Sequence, residues 1–405
     1  MSITRRVFLR DGALAAVGTA ALPAFVQRTA WGAAQSAKAK RLVVIFQRGA
    51  ADGLNIVVPY AEPAYYAMRP SINIPRKSLI ELDGFFGLHP ALETFQPLWK
   101  QRHLAVVHAA GSPVPTRSHF EAQDFMESGM PGVHVPADGW LNRALRGADH
   151  SGSGLRAIAL GPSLPRILAG SAPVLALNNL SNVGVEGKNS APLADRFEAM
   201  HDSVLHGTQR EAFEAVKMLR SADPAKYKPA PGANYPRTRF ADSLKQLCQL
   251  IKGNLGVQVA FADIGGWDHH VNEGSTQGQM ANMLREFSQS LSAFWIDLGD
   301  LAEDTVIITM SEFGRAAREN STRGTDHGYA QVMFVMGGPV KGGKVYGRWP
   351  GLDPSQLYAG RDLAVTTDFR RVLGEAVSQH LGNKALGRVF PGFENRPQNF
   401  LGYLG

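Results

Sequence analysis

The stretch ADIGGWDHHVNE, residues 262–273, sets Asp268 and the consecutive imidazoles of His269 and His270 just beyond a glycine pair. Carboxylate oxygens and imidazole nitrogens are the donors a divalent cation takes where no thiolate is offered, and zinc is the ion drawn most clearly to imidazole. Three other segments carry donors of the same kind: Asp52 in QRGAADGLN, Glu312 in MSEFGR, and Asp326 with His327 in RGTDHGYA. Asp52, Asp268, His270, Glu312, Asp326 and His327 are therefore the candidate metal ligands. His269 competes with His270, and His119 is a candidate to line the site. Taken singly, each carboxylate has a plain structural use, as a turn or helix cap or, for Glu312, as a partner of Arg315. Gathered at one place they repel unless cations neutralise them, which favours one or two divalent ions, zinc first, with manganese or calcium compatible.

A nucleophile is offered by GSPVPTRSHFEAQDFMESG, residues 111–129. Pro113 and Pro115 stiffen the entry, and a helix is expected from Ser118. A hydroxyl at a helix start faces unpaired N–H groups and the positive dipole end, which favour an alkoxide and the anion it attacks. Ser118 with Glu121 equally spells a capping box, so cap and nucleophile both stand, and Thr116 is the alternative hydroxyl. Arg117 and Arg315 are candidates to grip the oxygens of a phosphate or sulfate, or to neutralise a neighbouring carboxylate.

These residues meet only if a framework carries them to one place. Continuous apolar runs at 41–47, 104–110, 155–161, 256–265, 305–310 and 331–338 predict buried strands. Helical patterns lie between them at 91–101, 118–128, 191–220, 239–254, 279–302 and 368–382. Alternating strands and helices predict an α/β fold with a mostly parallel β-sheet sandwiched between helices. In such sheets ligands bind beyond the carboxyl ends of the strands. Asp52, Asp268 and Glu312 each follow a strand closely, so three strands should deliver ligands to the same edge. The Pro-rich segment 221–237 ends a helical insertion expected near 190–237 within one domain, residues 35–405.

Residues 1–34 are expected to be a Tat signal peptide: Arg5-Arg6 precede a weakly apolar run, too short to span a bilayer, that ends near Gly32-Ala33-Ala34. A periplasmic or secreted protein follows, handled by the Tat translocase during export and with no stable membrane span after cleavage. The formal charge is +7, and removal of 1–34 leaves about +4. That mild basicity comes without a Lys/Arg stripe and interleaved aromatics, so nucleic acid is not expected as a partner, whereas a small anionic ester is. Cys248 is the sole cysteine, which rules out an intramolecular disulfide, and its apolar-periodic setting predicts a buried thiol.

The segments RGAADGLNIVVPY, FFGLHPAL, TRSHFEAQDFMESG, GGWDHH, MSEFGRAARENSTRGTDHGYAQVMFVMGG and GRWPGL together resemble the bacterial DUF1501 family, over nearly all of the chain after the leader. That family looks like a branch of the alkaline phosphatase and sulfatase superfamily, which implies an alkaline phosphatase/sulfatase-like fold and a two-metal site. By this resemblance Asp52 is the early metal ligand, Ser118 the nucleophile, Asp268 with His270 the pair on one ion, and His327 the late histidine of the other. The sequence departs from the pattern at Glu312-Phe313, where relatives carry Asp-His, so the second metal position lacks a nitrogen unless Asp326 or His269 supplies a ligand. Asp368, in TTDFRRVLGEAV, is expected to cap a helix. The function implied is metal-dependent hydrolysis of phosphate or sulfate esters. The alternatives are a non-catalytic binding or scaffold protein that keeps the fold, or a phosphoryl-type transferase acting on envelope components.

Overall fold

The structure, a computed structural model, describes residues 40–133, 138–146, 156–161, 163–172, 174–177, 227–253, 255–394 and 396–405. The expected leader and residues 190–226 of the expected insertion lie outside them.

The run RLVVIFQ forms strand β1 (Arg41–Gln47), buried at every position. It sits mid-sheet, covered on both faces, which is why its sequence is continuously apolar rather than alternating. The other strands are β2 (Leu104–Gly111), β3 (Ala157–Leu160), β4 (Leu175–Leu177), β5 (Val259–Ile264), β6 (Thr305–Ser311), β7 (Gln331–Gly337), β8 (Val345–Tyr346) and β9 (Thr367–Asp368). They make a nine-stranded sheet in the order β8-β2-β7-β6-β1-β5-β3-β4, with β9 also paired to β2. β1 runs parallel to β5 and β6, and β3 runs parallel to β4 and β5. Only β7 opposes its neighbours, antiparallel to both β6 and β2. The sheet is thus mostly parallel, as its sequence pattern implies.

Alternate residues feed two cores. Val43 and Ile45 of β1, Ala260 and Ala262 of β5, and Phe334 and Met336 of β7 face one side. There they meet α3 (Arg239–Lys252) and α4 (Gln279–Leu298), whose Leu244, Leu247, Leu284, Phe287, Leu291 and Phe294 repeat at helical spacing. Leu42, Val44, Phe46, Val259 and Ile308 face the other side, against α2 (Trp140–Ala144) and α5 (Phe369–Glu375). Cys248 lies in the first core, and burial pushes its thiol up to about 12. No helix among the described residues is long and apolar enough to cross a membrane.

Three helices differ from their sequence patterns. The expected 91–101 helix divides into a 3-10 stretch, Pro90–Phe95, and a short helix, Gln96–Lys100, with Leu92 off the helical conformation and Pro97 unable to donate to the preceding turn. The helix expected over 279–302 stops at Leu298, because Gly299 takes φ +56 and the chain tightens into a 3-10 stretch. That expected over 368–382 ends at Glu375 and continues as a π-helical turn, while Asp368 caps its start by accepting from Arg370 N at 2.9 Å.

Candidate metal centre

The carboxyl ends of β1, β2, β5 and β6 share one edge of the sheet, and the reversed β7 begins there. After β5 the chain passes Gly265-Gly266 to Asp268 and His270. After β6 it passes directly to Glu312. After β2 it enters α1 (His119–Ser128), with His119 in the first turn. His327 precedes β7 by four residues, so only the antiparallel direction of that strand brings it to the ligand edge. The loops pack closely enough to need glycine. Gly49, at φ +116, has no room for a Cβ, which would lie 2.7 Å from Asp268 N, and a Cβ on Gly324 would collide with the His270 backbone.

Three imidazoles and one carboxylate converge. His119 Nε2 lies 2.9 Å from His327 Nε2, which lies 3.0 Å from His270 Nε2. Asp268 Oδ1 is 3.0 Å from His270 Nε2 and 3.3 Å from His327 Nε2, and Asp268 Oδ2 is 3.5 Å from His119 Nε2. The ligating atoms of His119, Asp268 and His327 fall within 4.8 Å of one another. Donors on a tetrahedral zinc, at bond lengths of about 2.0–2.2 Å, stand roughly 3.3 Å apart, so these separations bracket what one ion requires.

The outer hydrogen bonds fix the tautomers. His327 Nδ1 lies 2.8 Å from the carbonyl oxygen of Arg117, which can only accept, so Nδ1 carries the proton and Nε2 the lone pair. His119 Nδ1 donates likewise to Glu312 Oε1 at 2.8 Å, and His270 Nδ1 faces Asp326 Oδ1 at 3.4 Å. Arg315 Nη1, 3.5 Å from His270 Nε2, also faces that atom as a donor faces a lone pair. Neutral imidazoles in these tautomers bring Nε2 lone pairs close together, a repulsive arrangement that Arg315 relieves in part at His270 and that a shared cation would relieve further. A proton or a metal ion would serve. The Glu312 hydrogen bond, then the charges of Glu312 and Asp268, raise His119 above the ordinary histidine range against its own burial, while burial lowers His327. Burial opposes the ionised form of Asp268, but the hydrogen bond and charge of Arg315 hold its carboxyl below the usual range.

Glu312 is not in the ligand cluster. Its Oε1 accepts from His119 Nδ1, from Gly49 N at 2.8 Å and from Gln123 Nε2 at 3.0 Å, while Oε2 faces Ser311 Oγ at 3.0 Å. It orients His119 rather than joining the cluster itself. Phe313 is buried with its ring centroid 5.0 Å from that of His119 and 5.1 Å from that of His327. Asp326 stands behind His270, held by Asn320 Nδ2 at 3.2 Å.

Asp52 is also engaged elsewhere. Its buried carboxylate pairs with the buried Arg69 guanidinium, Oδ2 to Nη1 at 2.5 Å and Oδ1 to Nη2 at 3.0 Å, and Oδ1 also caps Leu54 N at 3.2 Å. Burial alone raises such a group, but Arg69 wins and holds it low. Glu273 lies beside it: burial and then the Asp52 charge push it well above the usual range, against the opposing charge of Arg69.

Arg315 is buried and spends its guanidinium on Ala50 O, Thr325 O, Gly49 O and Trp267 O at 2.8–3.1 Å and on Asp268 Oδ1 at 2.5 Å. It ties three loops together and positions Asp268, with no donor left for a substrate. Arg117, half-exposed, meets Asp362 Oδ2 at 2.6 Å. Arg361, which its sequence context does not flag, reaches the same carboxylate at 3.2 Å and donates to His327 O at 2.9 Å. Ser118 caps α1, its hydroxyl 3.5 Å from Glu121 N and open to solvent. The Thr116 hydroxyl is held by the Glu121 carboxylate and accepts from Ser118 N. His269 turns inward and burial lowers it to about 4, leaving His270 as the ligand-side residue of the pair.

Among solved structures, the chain is similar to a phosphonate monoester hydrolase of Agrobacterium radiobacter (9% identity, covering 76% of this chain and 70% of that one, TM-score 0.34). It is also similar to the PsFucS1 sulfatase from Pseudoalteromonas sp. (13%, 79% and 66%, 0.34). A third is the C-terminal periplasmic domain of EcEptC from Escherichia coli in complex with Zn (10%, 75% and 74%, 0.31). No curated protein matches. The family described as "Protein of unknown function (DUF1501)" matches residues 39–384, nearly the whole described chain, and the protein belongs to that family.

Proposed function

We propose that this chain is an exported, metal-dependent hydrolase of phosphate or sulfate esters, built on a single-ion centre of His119, His270, His327 and Asp268. The observation that carries the reading is the convergence of imidazole Nε2 lone pairs whose opposite nitrogens are already committed as donors to Glu312, Arg117 O and Asp326. Three nitrogens and one oxygen suit zinc best among common divalent ions. A bound ion of this kind polarises an ester oxygen and lowers the pKa of a coordinated hydroxyl or water. One ion rather than two is favoured because Asp52 is matched to Arg69, Glu312 is matched to its donors, and Phe313 is apolar.

The chain's own groups then divide the work. Glu312 holds His119 in the tautomer that presents Nε2. Arg315 fixes Asp268 and the loops on either side of it. Arg117 and Arg361 share the one buried carboxylate of Asp362, which leaves a net positive charge beside His327 for the anionic oxygens of a substrate. Ser118 precedes the ligand His119 directly, is exposed, and stands at the start of a ten-residue helix, where N–H groups stabilise developing negative charge. It is the nucleophile in this reading.

The test is metal content by elemental analysis, together with cleavage of 4-nitrophenyl phosphate and 4-nitrophenyl sulfate. Protein purified after export is compared with its His327→Ala and Ser118→Ala variants. One zinc per chain, lost with turnover in His327→Ala, supports the centre. Retained metal with turnover reduced at least a hundredfold in Ser118→Ala supports the nucleophile, since the weak 3.5 Å cap costs only about 0.5 kcal/mol when removed. A metal-free wild type without turnover gives the function instead to the binding or scaffold reading.

A further inference from the structure

Lys40, Arg156 and Gln258 immediately precede β1, β3 and β5, and so gather at the amino edge of the sheet, opposite the metal centre. With Gln379, His380 and the end of α2 they line a cavity of about 340 Å³, near the lower end of the size range of small-ligand sites. Among the described residues no acidic side chain lines it.

Arg156 is the unusual group. Its Nε donates to Gln258 Oε1 at 2.7 Å and its Nη1 to Leu145 O at 3.1 Å. Both acceptors are neutral, and among the described residues no carboxylate meets this guanidinium. Of its five N–H donors, three have no partner among the described residues. Burial alone moves it, lowering it to about 10, and no neighbouring charge offsets that. By contrast Arg41, at the same edge, has the Asp304 charge acting on it. Arg156 is a partly buried cation with no counter-ion among the described residues, and capping the carbonyl at the end of α2 uses only one of its donors. Lys40 is exposed at the rim, and its charge acts on His380, which places the ammonium over the same cavity. His380 is not a further cation: burial lowers it to about 4, and its Nε2 donates to Arg41 O at 2.9 Å.

We infer that this cavity is a second site, for a small tetrahedral oxyanion of the phosphate or sulfate type, seated on the free fork of Arg156 with Lys40 closing over it. A fork of parallel N–H groups matches two oxygens of such an anion, and Gln258 and Gln379 line the same cavity. The site is independent of the metal centre and of the hydrolase reading.

Calorimetric titration of the mature chain, stripped of metal by chelation, with inorganic phosphate and separately with sulfate tests it. One saturable site is expected, about tenfold weaker in Arg156→Gln, about threefold weaker in Lys40→Gln, and unchanged in His327→Ala. Lys40 is exposed, so its substitution cannot act by unfolding the protein and decides the matter if Arg156→Gln folds poorly. Absence of saturable binding in the wild type overturns the inference, as does binding unaltered by Lys40→Gln or binding lost in His327→Ala.

Discussion

Replacing Glu312 by glutamine tests the proposed centre without touching a ligand. The carboxylate is acceptor-only and meets donors on both oxygens: His119 Nδ1, Gly49 N and Gln123 Nε2 on Oε1, and Ser311 Oγ on Oε2. A glutamine of the same shape keeps these bonds if its carbonyl takes the Oε1 position. Its amide then points at Ser311 Oγ, whose hydroxyl proton already has an alternative acceptor in Gln47 O at 2.6 Å. Glu312→Gln should therefore fold with a stability within about 1 kcal/mol of wild type. The negative charge behind His119 is lost, and with it the added basicity of Nε2. Substitutions of groups that orient a ligand this way weaken metal binding by about 10- to 100-fold, or roughly 1.4–2.7 kcal/mol. Glu312→Ala, by contrast, strands three donors at about 1–3 kcal/mol each and should cost at least about 3 kcal/mol of stability. Zinc titration against a competing chelator, with urea unfolding of the same samples, separates the two effects. Zinc affinity in Glu312→Gln equal to wild type, with the fold intact, would refute the assignment of His119 as a ligand oriented by Glu312.

Asp52→Asn should destabilise the protein by about 3 kcal/mol, the lower end for breaking a buried pair, because Glu273 can then ionise against Arg69. Zinc stoichiometry should hold, and zinc lost from a stable Asp52→Asn variant would return Asp52 to the ligand set. Glu273→Gln should stabilise the protein increasingly as pH rises. In the wild type the folded state keeps this proton above the unfolded pKa of about 4.3, so stability falls by up to about 1.4 kcal/mol per pH unit until the raised folded pKa is passed. The variant lacks that slope, and a stability difference that stays constant between pH 5 and 8 in urea melts would contradict a protonated Glu273. Gly49→Ala should lower both stability and zinc affinity, since its Cβ meets the backbone of Trp267 and Asp268 at a φ that disfavours alanine, and an unaltered melting temperature would count against that packing.

Much of the framework is legible because the strands are buried on both faces. RLVVIFQ, TVIITM and QVMFVMGG announce themselves by unbroken apolar character, and the observed strands coincide with these runs to within a residue or two. Short edge pieces such as β8 and β9 carry two residues each, too few for any periodicity, so they escape notice. The site reads less evenly. Asp268, His270 and His327 belong to the cluster, but Asp52 and Glu312 have the right residue type at the right edge and a different occupation. What separates them is the identity of the nearest cation or donor: Arg69 lies seventeen residues from Asp52 and His119 lies 193 from Glu312. No local pattern encodes either pairing, and the same holds for Arg361 with Asp362.

His119 shows what kind of signal was available. It follows a helix-capping serine and reads locally as the first residue of a helix, yet its Nδ1 and Nε2 both have partners from distant segments, Glu312 and His327. A buried carboxylate placed after β6 needs donors to face it, and a first-turn histidine after β2 is well placed to supply one. The reversed direction of β7 completes the logic. Were that strand parallel, the residues ahead of it would begin at the amino edge, and His327 would lie across the full length of the sheet from Asp268. The turn that lets β6 return as β7 pairs residues 314–316 with 326–329, through Gly314 N to Tyr329 O at 3.0 Å and Ala316 N to Asp326 O at 2.9 Å. That ladder sets the histidine at a fixed height above the edge. Glu312 and the apolar Phe313 after β6 therefore go together with a histidine after β2: His119 brings its nitrogen to the cluster, and Glu312 is the group that aims it.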